Sequence, residues 1–209
     1  YYAEMLDTMK SLMQALKDNQ ALKFAVVTGC LKIAKESIFT GTNNFVSETI
    51  MSSRLSECFG FVQCEVNQIL ADAGIEGKAE MMKKWYDGYH FGSVDVYCPW
   101  DVMCYVQKLM TDSNAQPDSF WKNTSDNAVI RSFIDYAGAS ITKKFETLMD
   151  GGYIVQKVDE NLTYDYLHSS EENLWSMLYL TGYLTRLRDD EIGEALPEDT
   201  VALKIPNRE

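Results

Sequence analysis

The stretch KWYDGYHFG, residues 84–92, places four aromatic side chains around an Asp-Gly pair and one of the chain's two histidines. Asp87 and His90 are titratable residues close enough in sequence to form a general base and its partner in a hydrolase. Neither His90 nor His168 lies in a Ser/His/Asp, Cys/His or His-x-x-x-His arrangement. Asp87 followed by Gly88 also favours a tight turn. These residues are compatible with a catalytic site and with a packed turn, and we expect the turn.

A second function for the same aromatic cluster would be the stacking of nucleic-acid bases. Such a platform needs a basic groove beside the rings, and Lys83-Lys84 is the only basic pair near this cluster. The net charge of the chain is -12, and residues 111–209 hold 9 basic and 18 acidic side chains against 10 and 13 in residues 1–110. A polyanion would be repelled by this distribution. The rings are therefore expected to anchor a helix by packing.

Metal and membrane functions find no support in the composition. The five cysteines contain no C-x-x-C pair, which is the spacing typical of zinc sites, so we expect reduced thiols in a cytoplasmic protein. No stretch approaches the roughly 18 consecutive apolar residues of a membrane helix, so no membrane partner is expected. Because the chain begins at Tyr1 without a signal run or an initiator Met, we expect a fragment of a longer protein.

The elements that would position these residues follow from the spacing of apolar side chains. Residues 24–27 are apolar without alternation and precede Thr28 and Gly29, which predicts a strand buried on both faces of a parallel sheet. Residues 111–119, TDSNAQPDS, are the predicted linker. The other patterns predict helices over 3–18, 63–73, 78–86, from Pro99 to about 110, 124–137, 140–149 and 171–184, and strands over 153–158, 183–188 and 201–205.

Three sequence blocks in this order resemble a known family. They are FAVVTG with SIFTGTNNF (24–29 and 37–45), CFGF with WYDGYHF and VYCPWDV (58–61, 85–91 and 96–102), and NLWSMLYLTGYLT with LKIPNRE (173–185 and 203–209). Together they resemble the bacterial AAA-ATPase-like family, usually fused to a C-terminal PD-(D/E)xK nuclease-like domain. The resemblance covers nearly the whole chain.

The resemblance implies a fold between α/β and mainly α, divided into three parts. Residues 1–62 would be the last portion of a P-loop α/β core, residues 63–110 a helical lid that carries the WYDGYHF motif, and residues 120–209 a helical, winged-helix-like segment. The partners would be an upstream P-loop segment and a downstream nuclease-like domain of the same protein. A truncated sheet would also leave an edge through which a second copy could pair.

The family's phosphate-binding loop and its magnesium-binding acidic strand end would both precede Tyr1. Gly77-Lys78 is no substitute, because Ala79 follows where a Ser or Thr hydroxyl would hold magnesium. ATP and magnesium are therefore implied for the full-length protein only, and the chain alone should not hydrolyse ATP. By resemblance, Thr28 would act as a sensor of the γ-phosphate, and Thr28, Gly29, Ser37 and Asn43 would line the nucleotide pocket.

Two alternatives remain beside this hypothesis. One is a non-enzymatic protein-interaction or nucleic-acid-binding winged-helix module, in which helix 171–184 would read DNA. That helix begins with Glu171 and Glu172 and lacks a basic face, which is unusual for a recognition helix. The other is a hydrolase that uses Asp87 and His90, and it has the weakest support of the three.

Overall fold

The computed structural model describes residues 2–29, 46–121, 138–160, 170–193 and 195–208, and the predicted helix 124–137 lies outside them. Within these residues the chain is a mixture of α-helices and small antiparallel sheets. The helices are α1 (Tyr2–Asp18), α2 (Gln63–Asp72), α3 (Ala79–Tyr86), α4 (Pro99–Thr111), α5 (Ala139–Met149) and α6 (Glu171–Leu180). The strands are β1 (Tyr89–Phe91), β2 (Val94–Val96), β3 (Ile154–Lys157), β4 (Thr185–Arg186) and β5 (Thr200–Lys204).

Helices α2, α3 and α4 form the first hydrophobic core, as the apolar spacing predicts. Pro99 occupies the first turn of α4, where its missing N–H is not needed. Gly74 follows α2 with a φ of +68°, the left-handed conformation that ends many helices. Each fully buried Val or Leu side chain contributes roughly 1.5–3 kcal/mol. The buried residues of this core are Val66, Leu70, Met82, Tyr86, Tyr97, Val102, Tyr105, Val106, Leu109 and Ala115.

The predicted linker, residues 111–119, packs against this first core. The Tyr86 hydroxyl donates to the Asp118 carbonyl oxygen and accepts from the Asp118 N–H, both at 3.0 Å. The Tyr105 hydroxyl donates to the Ala115 carbonyl oxygen at 3.2 Å, and Ala115 is buried. These contacts form because buried tyrosine hydroxyls need partners and the polar backbone of this stretch supplies them; whether the stretch divides two domains stays a prediction.

Helix α6 is the centre of the second hydrophobic core. Six consecutive residues, Leu174 to Tyr179, are buried, and the antiparallel sheet in the order β3-β5-β4 lies beside them. The Ser170 side chain caps the helix by accepting from the Asn173 N–H at 3.2 Å. The helix ends at Leu180, four residues before the predicted end, because Gly182 turns the chain with a φ of +86°. The last two strands pair antiparallel.

The buried strand predicted at residues 24–27 is wrong in the described structure. Residues 22–29 form no regular element, and the side chains of Phe24 and Val26 are 76% and 74% exposed. A strand of a parallel sheet needs neighbouring strands to satisfy its N–H and C=O groups. All strand pairs among the described residues are antiparallel and lie elsewhere. An apolar run alone could not supply that partner.

Helix α1 leaves an apolar stripe uncovered. Met13 is buried, whereas Met5, Met9 and Leu12, spaced four and three residues apart, are 67%, 40% and 53% exposed. The predicted helix over 3–18 is confirmed. Among the helices that the structure describes, none combines the length and the apolar character needed to cross a membrane. The division at residues 62, 110 and 120 stays a prediction.

Candidate functional site

The WYDGYHF motif joins helix α3 to a β-hairpin. Helix α3 ends at Tyr86, and the Asp87 carboxylate accepts from the Gly88 N–H at 2.8 Å, as the Asp-Gly pair predicts. The next residues form strand β1, which pairs with β2 so that His90 faces Asp95. Gly92 has a φ of +55° between the two strands, a conformation typical of tight hairpin turns. The sequence analysis missed this hairpin, although the Gly92-Ser93 pair between short apolar runs is a signal for one.

The aromatic side chains of the motif pack, as expected. Tyr86 is fully buried, and its ring centroid lies 5.5 Å from that of Tyr105 and 5.9 Å from that of Phe120. Phe91 is 9% exposed and contacts Tyr89 and Phe59 at centroid distances of 5.7 and 6.4 Å. These distances are typical of stabilising aromatic pairs. The rings therefore hold the hairpin and helix α3 in place.

The C-terminal segment closes over the turn at Gly88. A Cβ atom built on Gly88 would lie 1.8 Å from the Pro206 carbonyl oxygen, so only a residue without a side chain allows this approach. The Arg208 N–H donates to the Trp85 carbonyl oxygen at 3.4 Å. Residues 204–208 and the WYDG turn are thus in direct backbone contact, although they are more than 110 positions apart in the sequence.

A charged cleft lies beside this contact, between the hairpin and the end of the chain. His90 Nδ1 lies 2.8 Å from one carboxylate oxygen of Asp95, and the Arg188 guanidinium donates to the other at 2.7 Å. Arg188 also donates to Glu191 at 3.3 Å, and Lys204 donates to both Glu191 oxygens at 2.9 and 3.0 Å. We call these five residues the Asp95 network. The cleft has a volume of 60 Å³.

Burial and charge shift the pKa values around the cleft in opposite directions. Burial raises the pKa of Asp87 in spite of the hydrogen bond from the Gly88 N–H. Burial also acts against ionisation of Glu191, but the hydrogen bonds from Lys204 and the Arg188 N–H outweigh it and lower the pKa of Glu191 to about 2. The Asp95 charge, aided by Glu191, raises the pKa of Arg188. Both shifts favour the charged forms of Arg188 and Glu191.

Asp87 and His90, the residues of the hydrolase alternative, both line this cleft. His90 Nδ1 is engaged by Asp95, and Asp87 accepts from the Gly88 backbone. Arg188 and Lys204 both pair with carboxylates. A volume of 60 Å³ holds one or two waters, whereas ligand pockets usually measure about 300–1,000 Å³. The charged side chains of the cleft connect the hairpin to the C-terminal part of the chain.

Sequence reasoning missed Asp95, Thr185, Arg188, Glu191 and Lys204. The His90 N–H donates to the Thr185 hydroxyl at 2.8 Å across a separation of 95 residues, and the Arg188 contact with Asp95 spans 93 residues. No local spacing connects residues so far apart. Each of them read as an ordinary surface or strand residue.

The residues predicted to sense nucleotide lie in a different region. Thr28 and Gly29 are exposed and line a groove of 820 Å³ with the end of α1 and residues 46–59. Arg54 lies on this groove and pairs with Glu48 at 3.2 Å. Ser37 and Asn43 lie outside the described residues. Within the described part of the chain, no group of three or more His, Cys, Asp or Glu side chains could hold a metal ion.

Comparison with known proteins gives one informative similarity. No family model matches the chain, and no solved structure matches it. The chain is 30% identical over 106 residues to a curated protein of Azotobacter chroococcum mcd 1, described as "Uncharacterized protein in vnfD 5'region". The matched part makes up 50% of this chain and 20% of that protein. The chain thus spans about a fifth of the relative's length.

Proposed function

We propose that the chain is one part of a longer AAA-ATPase-like protein, in which it forms a nucleotide-dependent regulatory module for a downstream nuclease-like domain. One observation carries the proposal: the sequence blocks that resemble the family also contact one another. Phe61 of CFGF and Tyr97 of VYCPWDV exchange backbone hydrogen bonds of 3.0 and 2.8 Å. Gly88 of WYDGYHF contacts Pro206 of LKIPNRE. The segments that carry the resemblance thus form one packed unit, which supports the proposal.

The third block joins the same assembly. Thr185, the last residue of NLWSMLYLTGYLT, is fully buried and accepts from the His90 N–H of the WYDGYHF motif. The helix of that block, α6, is the centre of the second core. The lid motif and the winged-helix-like segment of the proposal are therefore in contact, so a movement of one would reach the other. This contact supports a regulatory role toward a domain that follows the segment.

In this proposal, the exposed segment 22–29 is the part of the chain that lies next to the bound nucleotide. Phe24, Val26 and Val27 are 76%, 74% and 44% exposed, and burial of each would contribute roughly 1.5–3 kcal/mol. In the longer protein, strands from the upstream P-loop segment would cover them and convert residues 24–27 into a sheet strand. Thr28 would then lie at the strand's carboxyl end, where ligands of α/β sheets bind, and its hydroxyl could contact the γ-phosphate.

The test uses the encoded polypeptide extended upstream through the expected Gly-x-x-x-x-Gly-Lys-Ser loop. Titration calorimetry with a non-hydrolysable ATP analogue and magnesium should show binding, and replacement of the loop lysine should remove it. In the same polypeptide, Thr28→Ala should slow ATP hydrolysis and Thr28→Ser should preserve it. Absence of the loop, or of analogue binding, would refute the ATPase part of the proposal. A cytoplasmic location and the roles of ATP and magnesium belong to the same proposal.

A second candidate is a protein-interaction module that uses no nucleotide. The uncovered stripe of Met5, Met9 and Leu12 on α1 favours it, because exposed apolar patches often mark contact surfaces. Its nucleic-acid version is disfavoured, since α6 buries six consecutive residues and begins with two glutamates. This candidate predicts that the extended polypeptide binds no ATP analogue. A filter-binding assay at low salt tests the nucleic-acid version, which requires affinity that falls steeply as salt rises.

A further inference from the structure

The two hydrophobic cores meet at a polar seam. The first core, around α2 to α4, and the second, around α6 and its sheet, have no buried residue in common. Strand β1 lies next to β4 at their junction, where the His90 N–H donates to the Thr185 hydroxyl. Arg188 bridges to Asp95 in the same place. We define the seam as this contact between the hairpin, residues 88–96, and the C-terminal residues 185–208.

Asp95 has an unusual position in the seam. One of its carboxylate oxygens contacts His90 within the hairpin, and the other accepts from Arg188 on the far side. The side chains of Asp95 and Arg188 are 40% and 46% exposed. Because solvent ions reach both groups, salt can screen their attraction, which is not the case for a buried pair.

The Arg188 charge acts on a second carboxylate, Asp87, as well as on Asp95. The Asp95 charge acts on Asp87 in the direction that raises its pKa, and the Arg188 charge acts on it in the opposite direction. Without Arg188, the negative charges of Asp87 and Asp95 face each other with less compensation, and like charges repel. On the C-terminal side, Glu191 pairs with Arg188, and Lys204 pairs in turn with Glu191. Asp95 is thus the carboxylate that carries the ion pair across the seam, beside the backbone contacts of His90 and Gly88.

We propose that Asp95 is a salt-sensitive latch that holds the hairpin against the C-terminal residues, and that breaking this latch opens the seam while both cores stay folded. Opening at the seam changes the position of the C-terminal segment relative to the WYDG turn. The latch thus acts as a conformational device built into this chain, and it does not depend on nucleotide binding.

Native-state hydrogen exchange of the 209-residue chain tests the latch directly. The reporters are the amides of His90 and Arg208, which bond across the seam, and the references are the amides within α2 and α6. Raising salt from about 0.1 M to about 1 M shortens the screening length from about 10 Å to about 3 Å. Exchange at the seam should accelerate about threefold to fivefold, as expected for an ion pair of this exposure, while the references change little.

Matched variants separate the latch from general charge effects. Asp95→Asn should accelerate seam exchange at low salt and abolish most of its salt dependence. The control is Asp189→Asn, which removes an equal charge from a local pair with Arg186, at 87% exposure of the aspartate, and should leave the seam unchanged. Unaltered seam exchange in Asp95→Asn would overturn the proposal. Equal acceleration in α2 and α6 would overturn it too, because the whole fold would then have loosened.

A third variant tests the repulsion that the arrangement implies. Arg188→Gln should open the seam more than Asp95→Asn, because Asp87 and Asp95 line the same cleft and their charges would have less compensation. Adding Asp95→Asn to Arg188→Gln should then slow the exchange part of the way back, which is a direct measure of coupling between the two residues. Strictly additive effects of the two substitutions would contradict a latch made of this pair.

Discussion

Gly88→Ala should be among the most damaging small substitutions in the chain. Gly88 has a φ of +134°, and an added Cβ would lie 1.8 Å from the Pro206 carbonyl oxygen and 2.7 Å from its carbonyl carbon. Cβ contacts under 3.0 Å essentially never occur, so the two segments must separate by about 1.2 Å, the difference between 3.0 and 1.8 Å. Both clashing atoms belong to the backbone, so no side-chain rotation relieves the contact.

The magnitude follows from two separable penalties. A non-glycine residue in a sparsely populated backbone region costs about 1–3 kcal/mol. Forcing packed segments apart costs about another 1–3 kcal/mol. We expect Gly88→Ala to lower the free energy of unfolding by about 2–6 kcal/mol, a large part of the roughly 5–15 kcal/mol of a typical domain.

Two other glycines provide matched controls. Gly74 has a φ of +68° with open space around it, so Gly74→Ala isolates the backbone penalty and should cost about 1 kcal/mol. Gly77 has open space and no positive φ, so Gly77→Ala should be neutral or stabilising by about 0.4–1 kcal/mol. The order of stability should be Gly77→Ala, then Gly74→Ala, then Gly88→Ala.

Urea unfolding followed by tryptophan fluorescence measures all three variants, with midpoints compared at equal slope. If Gly88→Ala falls within about 0.5 kcal/mol of Gly74→Ala, the close approach of Pro206 does not constrain the fold and our reasoning fails. If the C-terminal segment instead releases from the turn, exchange of the Arg208 amide identifies that outcome. It would confirm the contact and show that its loss is local.

Further predictions concern groups around the same turn. Asp87→Asn should stabilise the chain at neutral pH. The raised pKa of Asp87 means that ionisation of its carboxyl group weakens the native state as pH rises. The gain in stability should therefore vanish below the ordinary pKa of 3.8. Glu191→Gln should destabilise it by up to about 1 kcal/mol at neutral pH. That loss should disappear as pH falls from 4.5 toward the lowered pKa of about 2. Urea unfolding at a series of pH values measures both variants. A difference from the unsubstituted chain that does not change with pH would contradict the prediction for that variant. Tyr86→Phe should cost about 1–3 kcal/mol, since it leaves the Asp118 N–H and carbonyl without their partner, and a loss below about 0.5 kcal/mol would count against the packed role of residues 111–119.

Local patterns predicted the helices and the turn of the motif. The apolar spacing of residues 63–73 and 78–86 indicated α2 and α3 within one residue at each end. Pro99 marked the start of α4. The Asp87-Gly88 pair marked the turn that follows α3 in the WYDGYHF motif. These features depend on interactions between residues a few positions apart, and the sequence alone contains that information.

The sequence determined the helices and their apolar faces, whereas the tertiary structure decided what those parts contact. Residues 24–27 were as apolar as a buried strand, yet no strand among the described residues pairs with them. Residues 111–119 had the composition of a linker, yet the hydroxyls of Tyr86 and Tyr105 bind them. The link from Asp95 to Arg188 spans 93 positions. A pairing over such a distance depends on how the two cores fold against each other, since each partner alone is an ordinary surface charge.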